Sequence, residues 1–133
     1  SNIMITKEGN IKVLDFGISS DLNQEIANHG MGTPFYMSPE QIEGKNVDHR
    51  SDIFSLGVTF FQMLTAKLPY PVINKEQLFN HIKFRKFKKI SDYISKNGEL
   101  LQKVFEKATE KSPVKRLKNC YQFSEELNLI QCD

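Results

Sequence analysis

Short apolar blocks open the chain, periodicity is lost between residues 15 and 46, and apolar residues return at helical spacing from residue 48 onward. Ile3-Met4-Ile5 and Ile11-Lys12-Val13-Leu14 flank Thr6-Lys7-Glu8-Gly9-Asn10, a turn-rich stretch, so residues 3–14 read as a β-hairpin. Two strands alone are marginal in water, and the hairpin therefore belongs to something larger. From Asp15 to about Asn46 the punctuation is Gly17, Gly30, Gly32, Pro34, Pro39 and Gly44. A loop of that length in a compact domain is uncommon outside functional or disordered segments, and Phe16, Met31, Phe35, Tyr36 and Met37 make it too apolar for a free linker.

The helical part reads as residues 47–131. Asp48 or Ser51 is placed to cap a helix running to about Lys67, in which Ile53, Phe54, Leu56, Val58, Phe60, Phe61, Met63 and Leu64 surround the axis. Such a helix is expected at the centre of the core, since each fully buried side chain of this kind contributes roughly 1.5–3 kcal/mol. Further helices are predicted over Lys75 to about Phe84 and over Glu99 to Lys111, the latter with Leu100, Leu101, Val104, Phe105 and Ala108 on one face. Ser112-Pro113 stops that helix, and a last one aligns Phe123, Leu127 and Ile130 between Cys120 and Gln131. The expected fold class is mainly α with a small β-hairpin.

Composition narrows the possibilities. With 18 basic and 16 acidic residues, the net charge of +2 gives no electrostatic case for nucleic acid or a membrane as partner. The longest uncharged apolar run, Ile53 to Ala66, is 14 residues, short of the about 20 that a spanning helix needs. Two cysteines without metal spacing favour a reducing, cytoplasmic setting over a disulfide scaffold. The chain begins with Ser1, which points to a processed or excised piece, with Ser1-Asn2 open to being a scar.

Walker-type, GxSxG and HExxH motifs are absent, and His29, His49 and His81 are read as surface or locally bonded imidazoles. Asp48 and Asp52, four apart, are better explained by capping and backbone anchoring than by metal binding. The basic run from Lys83 to Lys89, with Phe84 and Phe87 interleaved, is read as a helix end rather than a nucleic-acid site.

One ordered set is more specific. Asp15-Phe16-Gly17 directly follows a strand. Gly32-Thr33-Pro34-Phe35-Tyr36-Met37-Ser38-Pro39-Glu40 comes next, then Asp52 and the apolar helix with Gly57, and last Pro113-Val114-Lys115-Arg116. This set resembles the C-terminal lobe of eukaryotic-type Ser/Thr protein kinases over essentially the whole chain. The resemblance implies a partial kinase-like lobe over residues 1–133, with the hairpin at 3–14, the activation segment at 15–40 and a helical subdomain at 47–131.

It also implies site roles. Asp15 and Asn2 would hold the Mg²⁺ of bound ATP, Phe16 would pack inward beside Asp15, and Gly17 would let the backbone pivot. Thr33 would lie beside the catalytic base in a supporting role, with a protein Ser/Thr hydroxyl as substrate. Glu40 is expected to pair with Arg116, and Asp52 to anchor the backbone of the catalytic loop. Phe54 stands where the family usually has Trp.

The Gly-rich loop, its partner lysine and glutamate, and the His-Arg-Asp stretch are not in this sequence, and a kinase domain needs roughly twice this length. The chain alone is therefore expected to be inactive, and to self-associate or domain-swap through an uncovered face between Ile53 and Leu64. Ser19 and Ser20 are the only hydroxyls between Gly17 and Gly32, so no controlling phosphorylation is expected from Asp21 to Met31. A pseudokinase or a non-catalytic interaction module built on the same lobe stands as the alternative.

Overall fold

The computed structural model describes residues 3–13, 34–71 and 74–130. It divides the chain into two units, residues 1–30 and 31–133. In the first, β1 (Ile3–Ile5) and β2 (Ile11–Val13) pair antiparallel, with Ile3 opposite Val13 and Ile5 opposite Ile11. The turn closes through Thr6 N–H to the Asn10 carbonyl at 2.8 Å, and Gly9 adopts φ +83°, a conformation that favours glycine.

The second unit is helical: α1 (Pro39–Ile42), α2 (His49–Thr65), α3 (Lys75–Phe84), α4 (Gly98–Ala108) and α5 (Cys120–Asn128). Single 3₁₀ turns occupy Pro34–Tyr36, Ile90–Asp92 and Pro113–Lys115. Asx side chains start three of the helices. Asp48 accepts from Arg50 N–H at 2.8 Å, Asn74 from Gln77 N–H at 2.9 Å, and Asn119 from Gln122 N–H at 2.9 Å.

The core forms around α2. Ile53 packs with Val104, Ala108, Leu117, Phe123 and Ile130. Phe54 and Val58 pack with Tyr70, Leu78 and Ile82, while Phe61 packs with Ile90 and Phe105. Thus α2 contributes to all three clusters. Its closest neighbour is α4: a Cβ placed on Gly57 would come within 2.7 Å of Thr109 Cγ2 and 3.0 Å of Ala108 Cβ. Glycine here lets the two backbones approach.

Several expected details are corrected. The stretch read as loop to Asn46 contains α1, because Ser38-Pro39-Glu40-Gln41 is a helix start in its own right. The apolar residues of α2 do surround its axis in sequence, but burial follows one broad face through Ile53, Phe54, Gly57, Val58 and Phe61, and Met63 is 77% exposed. Ala66, at φ 55°, ends this helix before Lys67. The fourth helix stops at Ala108 rather than Lys111: the Lys107 carbonyl, which a helix through Lys111 would pair with the Lys111 N–H, accepts from Leu117 N–H at 3.1 Å instead. On its core face Leu100 is exposed and Gln102 is buried instead.

Candidate functional site

The site is built where α1, the start of α2 and the 3₁₀ turn at Pro113–Lys115 converge. A capping box sets α1: Ser38 N–H donates to Gln41 Oε1 at 2.9 Å, and Gln41 N–H returns to Ser38 Oγ at 3.4 Å. Pro39, in the first turn, needs no hydrogen-bond partner for its nitrogen. This short helix carries Glu40 inward.

Arg116 meets it there. Nη1 donates to Glu40 Oε1 at 2.7 Å and Nη2 to Oε2 at 3.1 Å, a two-pronged pair. The remaining guanidinium protons go to backbone carbonyls, Nε to Glu110 at 3.0 Å, Nη1 to Arg50 at 2.6 Å and Nη2 to Lys111 at 3.5 Å. Its Cζ lies 5.1 Å from the Phe54 ring centroid, so the fully buried Phe54 forms the floor beneath the cation. Ser51 Oγ donates to Glu40 Oε1 at 2.6 Å. Burial pushes the Glu40 carboxyl up, but hydrogen bonds from Arg116 and Ser51, with the Arg116 charge, prevail and hold it at about 2.

The segment before α1 is fixed to α2. Tyr36 Oη donates to Gln62 Oε1 at 2.5 Å, and Ser55 Oγ donates to the Tyr36 carbonyl at 2.7 Å. Asp48 also folds the Arg50 side chain back on itself, Nη2 to Oδ2 at 2.6 Å, and hydrogen bonding from Arg50 lowers the exposed Asp48 carboxyl to about 2. Asp52 is exposed in the first turn of α2.

Beside the ion pair lies a cavity of about 640 Å³ whose lining includes Glu40, Glu43, Lys45, Lys111, Ser112 and Pro113. Lys111 Nζ donates to the Ile82 carbonyl at 2.6 Å and sits 3.4 Å from the Phe87 ring centroid. Burial, with the Arg116 charge, lowers this amine to about 7, against a small opposing effect of Glu110. The basic run ends α3 as expected, with Phe87 turned into the core against Phe54 and Tyr70, but Phe84 remains 70% exposed. Burial raises the Tyr70 phenol. His49 Nε2 lies 2.9 Å from the Lys118 carbonyl oxygen.

Of the residues singled out from sequence, Glu40 and Arg116 are brought together and Asp52 stays on the surface. Asn2, Asp15, Phe16, Gly17 and Thr33 lie outside the described residues, as does His29. The places of Ser51, a candidate helix cap by sequence, and of Lys111 at this site do not follow from the sequence. Nothing in their local sequence marks these places, since both owe their surroundings to residues far along the chain. Among the described residues no group of three or more His, Cys, Asp or Glu is placed to hold a metal ion.

Comparison with known proteins gives a consistent picture. The family model described as protein kinase domain matches residues 1–128. The chain is 37% identical over 100 residues to the probable serine/threonine-protein kinase nek2 of Dictyostelium discoideum, covering 71% of this chain and 24% of that protein. It is 33% identical over 138 aligned positions to a probable serine/threonine-protein kinase of Clostridium perfringens, covering 99% of this chain and 20% of the relative. A similar protein of Clostridium acetobutylicum is 33% identical over 140 positions, covering 98% and 20%. The chain thus spans about a fifth to a quarter of these relatives' length.

Proposed function

The chain belongs to the protein kinase family, and from that premise we propose that it is part of a serine/threonine protein kinase, transferring the γ-phosphoryl group of ATP to Ser/Thr hydroxyls of proteins. The observation that carries this reading is the ordered motif set from Asp15 to Arg116, whose far end is tied down by the Glu40–Arg116 pair.

Asp15 and Asn2 offer a carboxylate and an amide oxygen, the hard donors that Mg²⁺ takes, so the donor set fits the metal. When bound there, the ion would supply positive charge against that which develops in the transfer. By the same resemblance, Phe16 would steady Asp15 and Gly17 would let the backbone pivot. Thr33 supports the acceptor side. The Tyr36–Gln62 and Ser55–Tyr36 bonds hold the following segment against α2, which keeps the acceptor loop in one position. Asp52, facing outward in the first turn of α2, accepts backbone hydrogen bonds from the catalytic loop.

In this reading the 133-residue chain does not transfer phosphate by itself, and it self-associates or domain-swaps through the uncovered side of α2 that carries Met63. We place the kinase in the cytoplasm on its cysteine usage. No helix among the described residues is long and apolar enough to cross a membrane.

The test measures transfer from Mg-ATP to a generic protein substrate by the complete protein and by residues 1–133. The complete protein is expected to be active and to lose that activity on Asp15→Ala, with residues 1–133 inactive and larger than a monomer by light scattering. Turnover that survives Asp15→Ala overturns the assignment.

A further inference from the structure

We infer that Ser112 is a phosphorylation site for a proline-directed serine kinase, with Lys45 receiving the phosphate in the cavity beside the Glu40–Arg116 pair. Most hydroxyls near the core are already engaged: Ser51 donates to Glu40, Ser55 to the Tyr36 carbonyl, Thr59 to the Ser55 carbonyl and Thr109 to the Phe105 carbonyl. Ser112 precedes the 3₁₀ turn yet makes no capping hydrogen bond with its side chain, is only half-buried, and lines the cavity.

The backbone is suited to the role. Pro113 disfavours the helical region for the residue before it, and Ser112 is extended at φ −85°, ψ 120°. The serine thus stands in extended backbone directly before proline, the Ser-Pro pair that a proline-directed kinase reads, with the 3₁₀ turn beginning at Pro113.

Charge then favours the product. Lys45 lines the same cavity, and its well-exposed side chain is paired with Glu43 at 2.6 Å, a surface contact of small worth. Of the two cavity carboxylates, Glu40 is neutralised by Arg116, so only Glu43 competes with a phosphate for Lys45. Lys111 is committed to the Ile82 carbonyl. A dianionic group on Ser112 would draw Lys45 from Glu43 and link the segment after α1 to the turn that carries Arg116.

In the transfer, Ser112 Oγ attacks the γ-phosphorus of ATP held by the acting kinase. The Oγ–P bond forms as the bond to the β–γ bridging oxygen breaks, ADP leaves, and the hydroxyl proton passes to a base of that kinase.

The test treats the 133-residue chain with Mg-ATP and a purified proline-directed serine kinase, using a known protein substrate as activity control. Mass spectrometry should find phosphate on Ser112, absent in Ser112→Ala. Phosphorus NMR should show the second ionisation of that phosphate below its usual value of about 6. It should return toward that value in Lys45→Ala, whose exposed position leaves the fold intact. An unmodified Ser112 beside a phosphorylated control overturns the inference. So does an ionisation unmoved by removing Lys45.

Discussion

Glu40 and Arg116 stand 76 positions apart in the chain, and their charged ends meet at 2.7 Å with both side chains shut off from solvent. The Coulombic gain of such a pair is offset by the cost of desolvating two ions, so its removal as a pair is cheap and its rupture is not. Arg116→Met, which strands the carboxylate, is expected to cost about 3–5 kcal/mol in urea unfolding. The double variant Glu40→Leu/Arg116→Met should recover most of that loss. A single variant as stable as the parent would show that the pair is open to water.

Acid should undo the same contact. The Glu40 carboxyl lies at about 2 in the folded chain against an ordinary 4.5, because the Arg116 and Ser51 hydrogen bonds and the Arg116 charge outweigh burial. Between those values the unfolded chain binds the extra proton. Stability from this group is therefore complete above about pH 4.5 and lost as pH falls toward 2. The stability gap between the parent and Glu40→Gln, followed by fluorescence melts, should be wide at neutral pH and shrink across that window.

Lys111 has the opposite sign. Burial foremost, then the Arg116 charge, lowers its amine to about 7 from 10.5, so across that interval the unfolded chain holds a proton that the folded chain has released. Relative to Lys111→Met, the parent should gain stability as pH rises from 7 toward 9, and the difference should be flat below 7. A difference that falls with rising pH would contradict the buried placement over Phe87.

At Gly57 two effects oppose. Alanine gains roughly 1 kcal/mol of helix propensity over glycine. Its Cβ, however, would meet Ala108 Cβ at 3.0 Å and Thr109 Cγ2 at 2.7 Å, and Thr109 is fixed by its 2.8 Å bond to the Phe105 carbonyl. Overpacking of that kind costs about 1–3 kcal/mol, so Gly57→Ala is expected to lower stability by about 1 kcal/mol net. Adding Thr109→Ser, which removes the offending methyl and keeps the hydroxyl, should restore part of it in thermal melts.

Where local chemistry decides structure, the residues themselves predict it. The third helix begins and ends at Lys75 and Phe84 as the spacing of Leu78, Phe79 and Ile82 predicts, and Asp48 caps α2. The start of α1 was equally local, a serine followed three residues later by glutamine, but it lay hidden within a stretch read as loop. What was not legible depends on distant residues. Gln102 occupies a core position because its Oε1 accepts from Ile90 N–H at 2.7 Å and its Nε2 donates to Glu106 at 2.8 Å. Burial of that polar side chain, like the early end of α4 and the approach of Ser51 to Glu40, is decided by packing between elements. The Glu40–Arg116 contact could be anticipated only through family resemblance, because nothing local to either residue names the other.

The position of α2 bears on how the helical unit comes apart. Because Ile53, Phe54, Val58 and Phe61 distribute one helix among three groups of core side chains, none of those groups can melt while the others persist. The helical unit should lose its structure in a single concerted transition. In native-state hydrogen exchange, the slowest amides would then trace the middle of this helix, and the earliest openings would fall at the far end of α5, beside exposed Leu129.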